Sequence, residues 1–241
     1  MLLVSAVAYT AWVLEVLLST GLDPVQAYVS ELAAEDQPLG GVFRATDLVA
    51  GLAVLAAAVT ALLGLDRRPW SLTGWWALAL FGAATVADSR LPLSCAPTSD
   101  EECAARETAG LVPATHAAHA VSSSLAVIGA LTALTALTVA ARRYGSWPPV
   151  GRLGPWLIGA EFLATAWSLS AIAAFQAGRG TWSLGAGQRL QVLLMGIWLA
   201  VLAKGVRATA ESASAPGTAS APGTASAPDA TSAPEEKGEA A

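Results

Sequence analysis

The sequence predicts an all-α protein: a six-helix transmembrane bundle with a short outer interfacial helix and a disordered C-terminal tail. Of its 241 residues, 54% are hydrophobic and 13% are charged, and the mean hydropathy is +0.54. Soluble domains carry about 25% charged residues, so the composition excludes an ordinary soluble domain. Apolar runs of about 20 residues, the length that crosses a hydrocarbon core of roughly 30 Å, occur six times.

The six predicted spans form one domain, residues 1–208. The first span contains Trp12 and Glu15, has no basic region before it, and ends in no small-residue cleavage site. It is therefore predicted to be a retained helix rather than a secretory signal. The spans are Leu2–Thr20, Ala45–Leu65, Ser71–Ser89, Ala114–Ala141, Pro155–Ala177 and Gln188–Val206.

Residues 209–241 are predicted to form a disordered cytoplasmic tail. Proline recurs every six residues in this segment, and alanine is almost its only apolar residue. Such a composition buries too little surface to offset the entropy lost on ordering.

The basic residues of the loops predict the orientation, because cytoplasmic loops are enriched in lysine and arginine. The segments "DRRPW" (66–70) and "ARRYGSWPPVGR" (141–152), with Lys204 and Arg207, lie on one side if the spans alternate. Seven basic residues fall on this side and five on the other. The protein is thus expected in the cell membrane, multi-pass, with both termini cytoplasmic.

Cys95 and Cys103 lie in one short loop on the predicted outer side. Because that compartment is oxidising, the pair is predicted to form a disulfide. Metal binding by two cysteines spaced in this way is the less favoured alternative.

The loop after the first span contains a predicted helix, "DPVQAYVSELAAEDQPLGG" (23–41). Asp23 is a suitable N-cap and Pro24 a suitable first residue, and Val25, Tyr28 and Leu32 recur at helical spacing. Two readings remain open: an amphipathic helix on the outer membrane surface, or a helix that caps the bundle.

Ionisable side chains inside membrane helices are costly and by default mark functional sites. Asp47, Asp88, His116, His119 and Arg189 are predicted near the outer ends of their spans, and Glu15 is about one turn deeper. They would share one shallow polar layer. Glu161 is the exception, near the inner end of the fifth span.

The two histidines in this layer allow three interpretations. His116 and His119 share a helix face, and with Asp88 or Asp47 they would suit a zinc ion that keeps an open position for water. The same groups could form a metal-free catalytic site, or a structural network that holds the helices together. Arg44 and Asp47, three residues apart, could also neutralise each other.

Three segments resemble a family of bacterial membrane proteins, the domain of unknown function 998. They are "YVSELAAEDQPLGGVFRATDLVAG" (28–51), "ADSRLPLSCAPTSDEEC" (87–103) and "HAAHAVSSS" (116–124). The resemblance covers roughly residues 5–205 and implies no activity. It implies that the defining positions are Ser30, Glu31, Arg44, Asp47, Asp88, Cys95, Cys103, His116, His119 and Ser123.

Two functions follow as hypotheses. The first is a lipid-modifying enzyme with membrane lipids as partners. The second is a non-enzymatic transporter or accessory protein whose polar layer holds the helices together. Nothing in the sequence resembles a nucleotide-binding loop, and the net charge of −5 gives no reason to expect nucleic acid. The enzyme hypothesis assigns catalysis to His116, His119, Asp88, Asp47 and Ser123, and substrate binding to Arg44, Ser30, Glu31 and Arg189.

Overall fold

The computed structural model describes residues 1–64 and 67–214, and this part of the chain contains helices and no strand. The predicted all-helical class is therefore confirmed. The α-helices are α1 (Leu2–Tyr9), α2 (Gly40–Gly64), α3 (Pro69–Asp88), α4 (Glu101–Thr108), α5 (Ala114–Tyr144), α6 (Pro148–Gln176) and α7 (Leu184–Ser214). Two 3₁₀ helices, Ala11–Val16 and Val29–Ala33, lie between α1 and α2.

Six of these helices pack side by side in a closed ring. In the ring α1 is followed by α2, α3, α5, α6 and α7, and α7 returns to α1. Small residues bring neighbouring helices close together: a Cβ atom added at Gly51 or Gly82 would lie within 3 Å of the backbone of the facing helix. Such close backbone approach is typical of helix packing in a bilayer.

The outward faces of the ring are apolar. Val7 and Leu17 near the N-terminus, and Trp156 and Leu163 on α6, all expose more than 70% of their surface. Among the residues that the structure describes, five helices (α2, α3, α5, α6 and α7) are long and apolar enough to cross a membrane. An apolar exterior of this kind is stable in lipid and not in water.

The first predicted span, Leu2–Thr20, differs from the structure. It consists of α1 followed by the 3₁₀ helix Ala11–Val16, together a shorter apolar helix than the other five. At the junction the Thr10 hydroxyl donates to the carbonyls of Ala6 and Val7, 3.0 and 3.1 Å away. Hydroxyl back-bonding of this kind competes with the regular ladder and often bends a helix.

The predicted interfacial helix over residues 23–41 is wrong. Asp23 caps only a turn, in which its Oδ1 accepts from the Val25 amide at 2.8 Å, and the one helix that follows is Val29–Ala33. Leu32 and Ala34 are buried, and the amide of Glu35 donates to the Leu93 carbonyl at 2.9 Å. The segment therefore folds into one end of the bundle, as the capping alternative proposed, because its apolar residues are covered by protein.

The predicted disulfide is confirmed: Cys95 and Cys103 are bonded in the loop between α3 and α5. This loop also contains α4, whose N-cap Asp100 accepts from the amides of Glu102 and Cys103. We call the end of the bundle at which this loop lies the disulfide end. The segment Val29–Ala33 lies at the same end, since the Thr98 amide of the loop donates to Glu31.

Two predicted boundaries shift in a way that bears on function. Helix α6 begins at Pro148, seven residues before the predicted start, and Pro155 lies inside it. Helix α7 continues to Ser214, beyond the predicted end of the sixth span at Val206, and residues 215–241 of the predicted tail lie outside the described part of the chain.

Candidate functional site

A cavity of about 170 Å³ lies inside the ring and begins at the disulfide end. Its wall includes Pro92 of the disulfide loop, residues of the segment Val29–Ala33, and side chains of α2, α3, α5, α6 and α7. It reaches Ala130, sixteen residues into α5, or roughly 24 Å at 1.5 Å per residue. The cavity therefore continues from the predicted shallow polar layer toward the middle of the bundle.

Ser123, His119 and Asp88 meet on the wall of this cavity. The Ser123 Oγ lies 3.2 Å from the His119 Nε2 and 2.9 Å from the Asp88 Oδ2. The His119 Nδ1 lies 2.9 Å from the Leu91 carbonyl oxygen and 3.5 Å from the Asp88 Oδ1. A hydroxyl, an imidazole and a carboxylate thus lie within 3.5 Å of one another, and the hydroxyl and the imidazole are close enough to act as a nucleophile and its base.

The Leu91 carbonyl determines which imidazole nitrogen can act as a base. A carbonyl oxygen only accepts hydrogen bonds, so the Nδ1 of His119 must carry its proton. In the neutral imidazole the Nε2, which faces Ser123, is then free of a proton, and it can accept the Ser123 proton that is otherwise donated to the Asp88 Oδ2. Asp88 is also oriented from its other side, because the Ser122 hydroxyl donates to its Oδ1.

His116 does not join this group. Its Nδ1 lies 2.9 Å from the Ser94 Oγ and accepts from the Ser94 amide at 3.1 Å, and its ring does not line the cavity. Within the described ranges, no three His, Cys, Asp or Glu side chains are grouped so that they could hold a metal ion. The structure does not support the predicted zinc ligands His116, His119 and Asp88, because the imidazoles face different partners.

The two arginines predicted to bind substrate are engaged with the protein. The Arg44 Nη1 donates to the carbonyls of Ala33 and Ala34 at 2.6 and 3.2 Å, and no ion pair with Asp47 forms among the described residues. Arg189 is buried and binds Glu15 with two hydrogen bonds of 2.5 and 2.6 Å. Neither guanidinium belongs to the cavity wall.

Ser30 and Glu31, adjacent in sequence, have different surroundings. Ser30 lines the cavity, whereas Glu31 is buried beside it and accepts from the Thr98 amide at 2.8 Å and the Thr98 hydroxyl at 2.5 Å. Burial raises the pKa of Glu31 to about 7, against the opposing effect of these hydrogen bonds. Glu31 thus joins the segment Val29–Ala33 to the disulfide loop.

Glu161 is the cavity residue that the sequence misplaced. It lies thirteen residues after the start of α6, is 2% exposed and lines the cavity together with Asp47. The sequence put it near a helix end because Pro155 was taken as the first residue of the span. The pair Pro148–Pro149, which suits the first turn of a helix, is the signal that could have corrected this.

Two glutamines of α7 that the sequence did not single out also line the cavity. The Gln188 Oε1 accepts from the Val29 amide at 2.9 Å, and the Gln191 Nε2 donates to the Thr165 hydroxyl at 2.9 Å. They connect α7 to the segment Val29–Ala33 and to α6. The ends of several helices therefore contribute polar groups to one cavity.

Comparison with known proteins identifies a family for this chain. A family model described as "Protein of unknown function (DUF998)" matches residues 2–205. The resemblance noted from the three sequence segments is therefore confirmed. No protein of curated function and no solved structure matches the chain.

Proposed function

Since the chain belongs to the family of unknown function DUF998, we propose its function from the cavity: a membrane-embedded serine hydrolase that cleaves a lipid ester at the disulfide end. The single observation that carries this proposal is the arrangement of Ser123, His119 and Asp88 on the cavity wall. The Asp88 Oδ2 and the His119 Nε2 lie 2.9 and 3.2 Å from the Ser123 Oγ, inside the range expected of an activated nucleophile.

The reaction follows the order of acyl transfer. The Ser123 Oγ attacks the carbonyl carbon of the ester while its proton passes to the His119 Nε2. The bond from the carbonyl carbon to the leaving alkoxide breaks, and the alkoxide takes this proton. Water then attacks the acyl-serine, gives a proton to His119 and releases the acid, and the proton returns to Ser123. The Leu91 carbonyl orients the imidazole through Nδ1, and Asp88, whose Oδ1 lies 3.5 Å from that nitrogen, stabilises its charged form.

A serine-directed fluorophosphonate probe tests this proposal. The purified protein, in an uncharged detergent, should be labelled at Ser123, and the label should be lost in Ser123→Ala and strongly reduced in His119→Ala. The matched control is Ser124→Ala, one residue away, because the Ser124 hydroxyl bonds only to the Ala120 carbonyl at 2.7 Å and its residue is exposed. Absence of label on Ser123 in folded protein would exclude the hydrolase.

A non-enzymatic role is the second candidate. It is favoured by the hydrogen bonds of Arg44 and Arg189 to protein atoms, as in a network that holds helices together. The position of Glu161 near the middle of α6 favours a transported ligand within the same role. An unlabelled Ser123, together with a large loss of thermal stability in Ser123→Ala, would favour this candidate.

We also propose that α1 and the 3₁₀ helix Ala11–Val16 form a sixth membrane span. They fill the place in the ring between α2 and α7, and Leu3, Val4 and Val7 face outward. With six spans both termini lie on one side, and the basic residues Arg142 and Arg143 at the end of α5 favour the cytoplasmic side.

This orientation can be tested with single cysteines in a Cys95→Ser/Cys103→Ser background. A membrane-impermeant maleimide should label Leu111→Cys, an exposed position in the disulfide loop, in intact cells. Arg143→Cys, exposed at the other end of α5, should be labelled only after lysis. The reverse pattern would contradict the proposed orientation.

A further inference from the structure

Among the described residues, one carboxylate oxygen in the cavity wall is buried without a hydrogen-bond partner. Glu161 is 2% exposed, and its Oε2 accepts no hydrogen bond from the residues that the structure describes. A buried carboxylate without a partner is unfavourable unless a proton or a cation neutralises it. Since Glu161 lines the cavity, a ligand there can reach it.

A second carboxylate lines the same cavity. Asp47 lies on α2, and within the described part of the chain it forms neither a hydrogen bond nor an ion pair. The nearest arginine on its helix, Arg44, is directed at the carbonyls of Ala33 and Ala34 instead. The other arginine of this region, Arg189, is held by Glu15. Neither of these two arginines pairs with Asp47 or Glu161 in the described part of the chain.

The remaining wall suits an organic cation better than a hydrated metal ion. Tyr9, Trp12 and Phe43 contribute aromatic rings to the cavity, and aromatic faces attract ammonium groups. A cavity of about 170 Å³ is similar to an engineered cavity of about 150 Å³ that holds one benzene. It accommodates a headgroup fragment and leaves acyl chains outside, in the bilayer.

We propose that the cavity binds a quaternary ammonium group through Glu161 and Asp47. If this group belongs to the substrate, the proposal rests on the proposed hydrolase function. It then narrows the substrate class to esters that carry such a group. The ammonium group could belong to a lipid headgroup or to a free amine. The chemistry of recognition is the same for both.

Calorimetric titration in an uncharged maltoside detergent tests the proposal. The probes are choline, a short-chain phosphatidylcholine, and 3,3-dimethyl-1-butanol, the uncharged isostere of choline. We expect the first two to bind and the isostere not to bind. Binding of phosphatidylcholine alone would identify a lipid source, and binding of choline alone a free amine. Glu161→Gln should weaken binding at least tenfold, whereas Glu101→Gln, an exposed acid on α4, should leave it unchanged.

Equal binding of choline and its isostere, or wild-type affinity in Glu161→Gln, would overturn the proposal. If Glu161→Gln does not fold, Asp47→Asn serves the same comparison. Ligand binding by calorimetry and fluorophosphonate label on Ser123, both measured on the wild-type protein, separate this proposal from the hydrolase. Label on Ser123 without binding of either choline or phosphatidylcholine would remove the ammonium site alone, and binding of either one without label would remove the hydrolase alone.

Discussion

The ion pair between Arg189 and Glu15 should dominate the stability of the bundle at the disulfide end. The Arg189 Nη1 also donates to the carbonyls of Ala27 and Gly185, at 2.8 and 3.2 Å. One guanidinium thus joins α7, the 3₁₀ helix Ala11–Val16 and the segment before Val29. The side chains of both partners are less than 10% exposed. Replacement of Glu15 by Gln keeps the shape and removes the negative charge.

The cost of this replacement follows from burial. Removing one partner of a buried ion pair leaves the other charge uncompensated and costs about 3–5 kcal/mol. For a chain of this size, each kcal/mol shifts the melting temperature by about 2–4 °C, so we expect a loss of roughly 6–20 °C. The double variant Glu15→Gln/Arg189→Gln should recover part of this loss, because no buried charge is then left unpaired.

Intrinsic fluorescence in detergent is a suitable assay, since the chain contains nine tryptophans. The matched control is Glu102→Gln, an exposed acid on α4, which should melt like the wild type. The reasoning would be refuted if Glu15→Gln melted within 2 °C of the wild type. It would also be refuted if the double variant lost as much melting temperature as Glu15→Gln and Arg189→Gln lose together as single variants, since the two side chains would then not be coupled.

Three further perturbations test other parts of the fold by the same melting assay. Cys95→Ser/Cys103→Ser should cost about 2–3 kcal/mol, the chain-entropy value for so short a loop, and reductant should have no further effect on this variant. Burial raises the pKa of Glu31 to about 7, so the folded state binds this proton more tightly than the unfolded state does. The free energy of unfolding should therefore fall by on the order of 3 kcal/mol as the pH rises from about 4.5 to 7. Glu31→Gln should lack this component, and an unchanged pH profile would contradict the shift. Gly82→Ala should cost about 1–3 kcal/mol because its Cβ would meet the α2 backbone. The control Gly159→Ala, with open space around the added Cβ, should be neutral or stabilising. Equal effects of the two variants would disprove the close contact at Gly82.

Local composition was enough to predict most of the fold. The long apolar runs predicted six spans, since a bilayer imposes a minimum length on any helix that crosses it. In the described residues five of them are membrane-length helices, and the first is a shorter apolar helix. The disulfide followed from two cysteines in one short loop. The segment 23–41 was misread because helical spacing shows which residues are buried together and not whether protein or lipid covers them.

The candidate site was also predicted in part from the sequence, and the rest of it was decided by the tertiary structure. The sequence by itself predicted that Asp47, Asp88 and His119 would lie near one end of the bundle, because each stands close to the end of an apolar run. It predicted Ser123 about one turn further along the helix face of His119. Only the tertiary structure decided that His116 bonds to the disulfide loop and that both arginines are engaged with protein atoms. The tertiary structure also placed Glu161 in the cavity. These outcomes depend on which helices are neighbours in the ring and how each is rotated, and contacts between residues distant in sequence determine both.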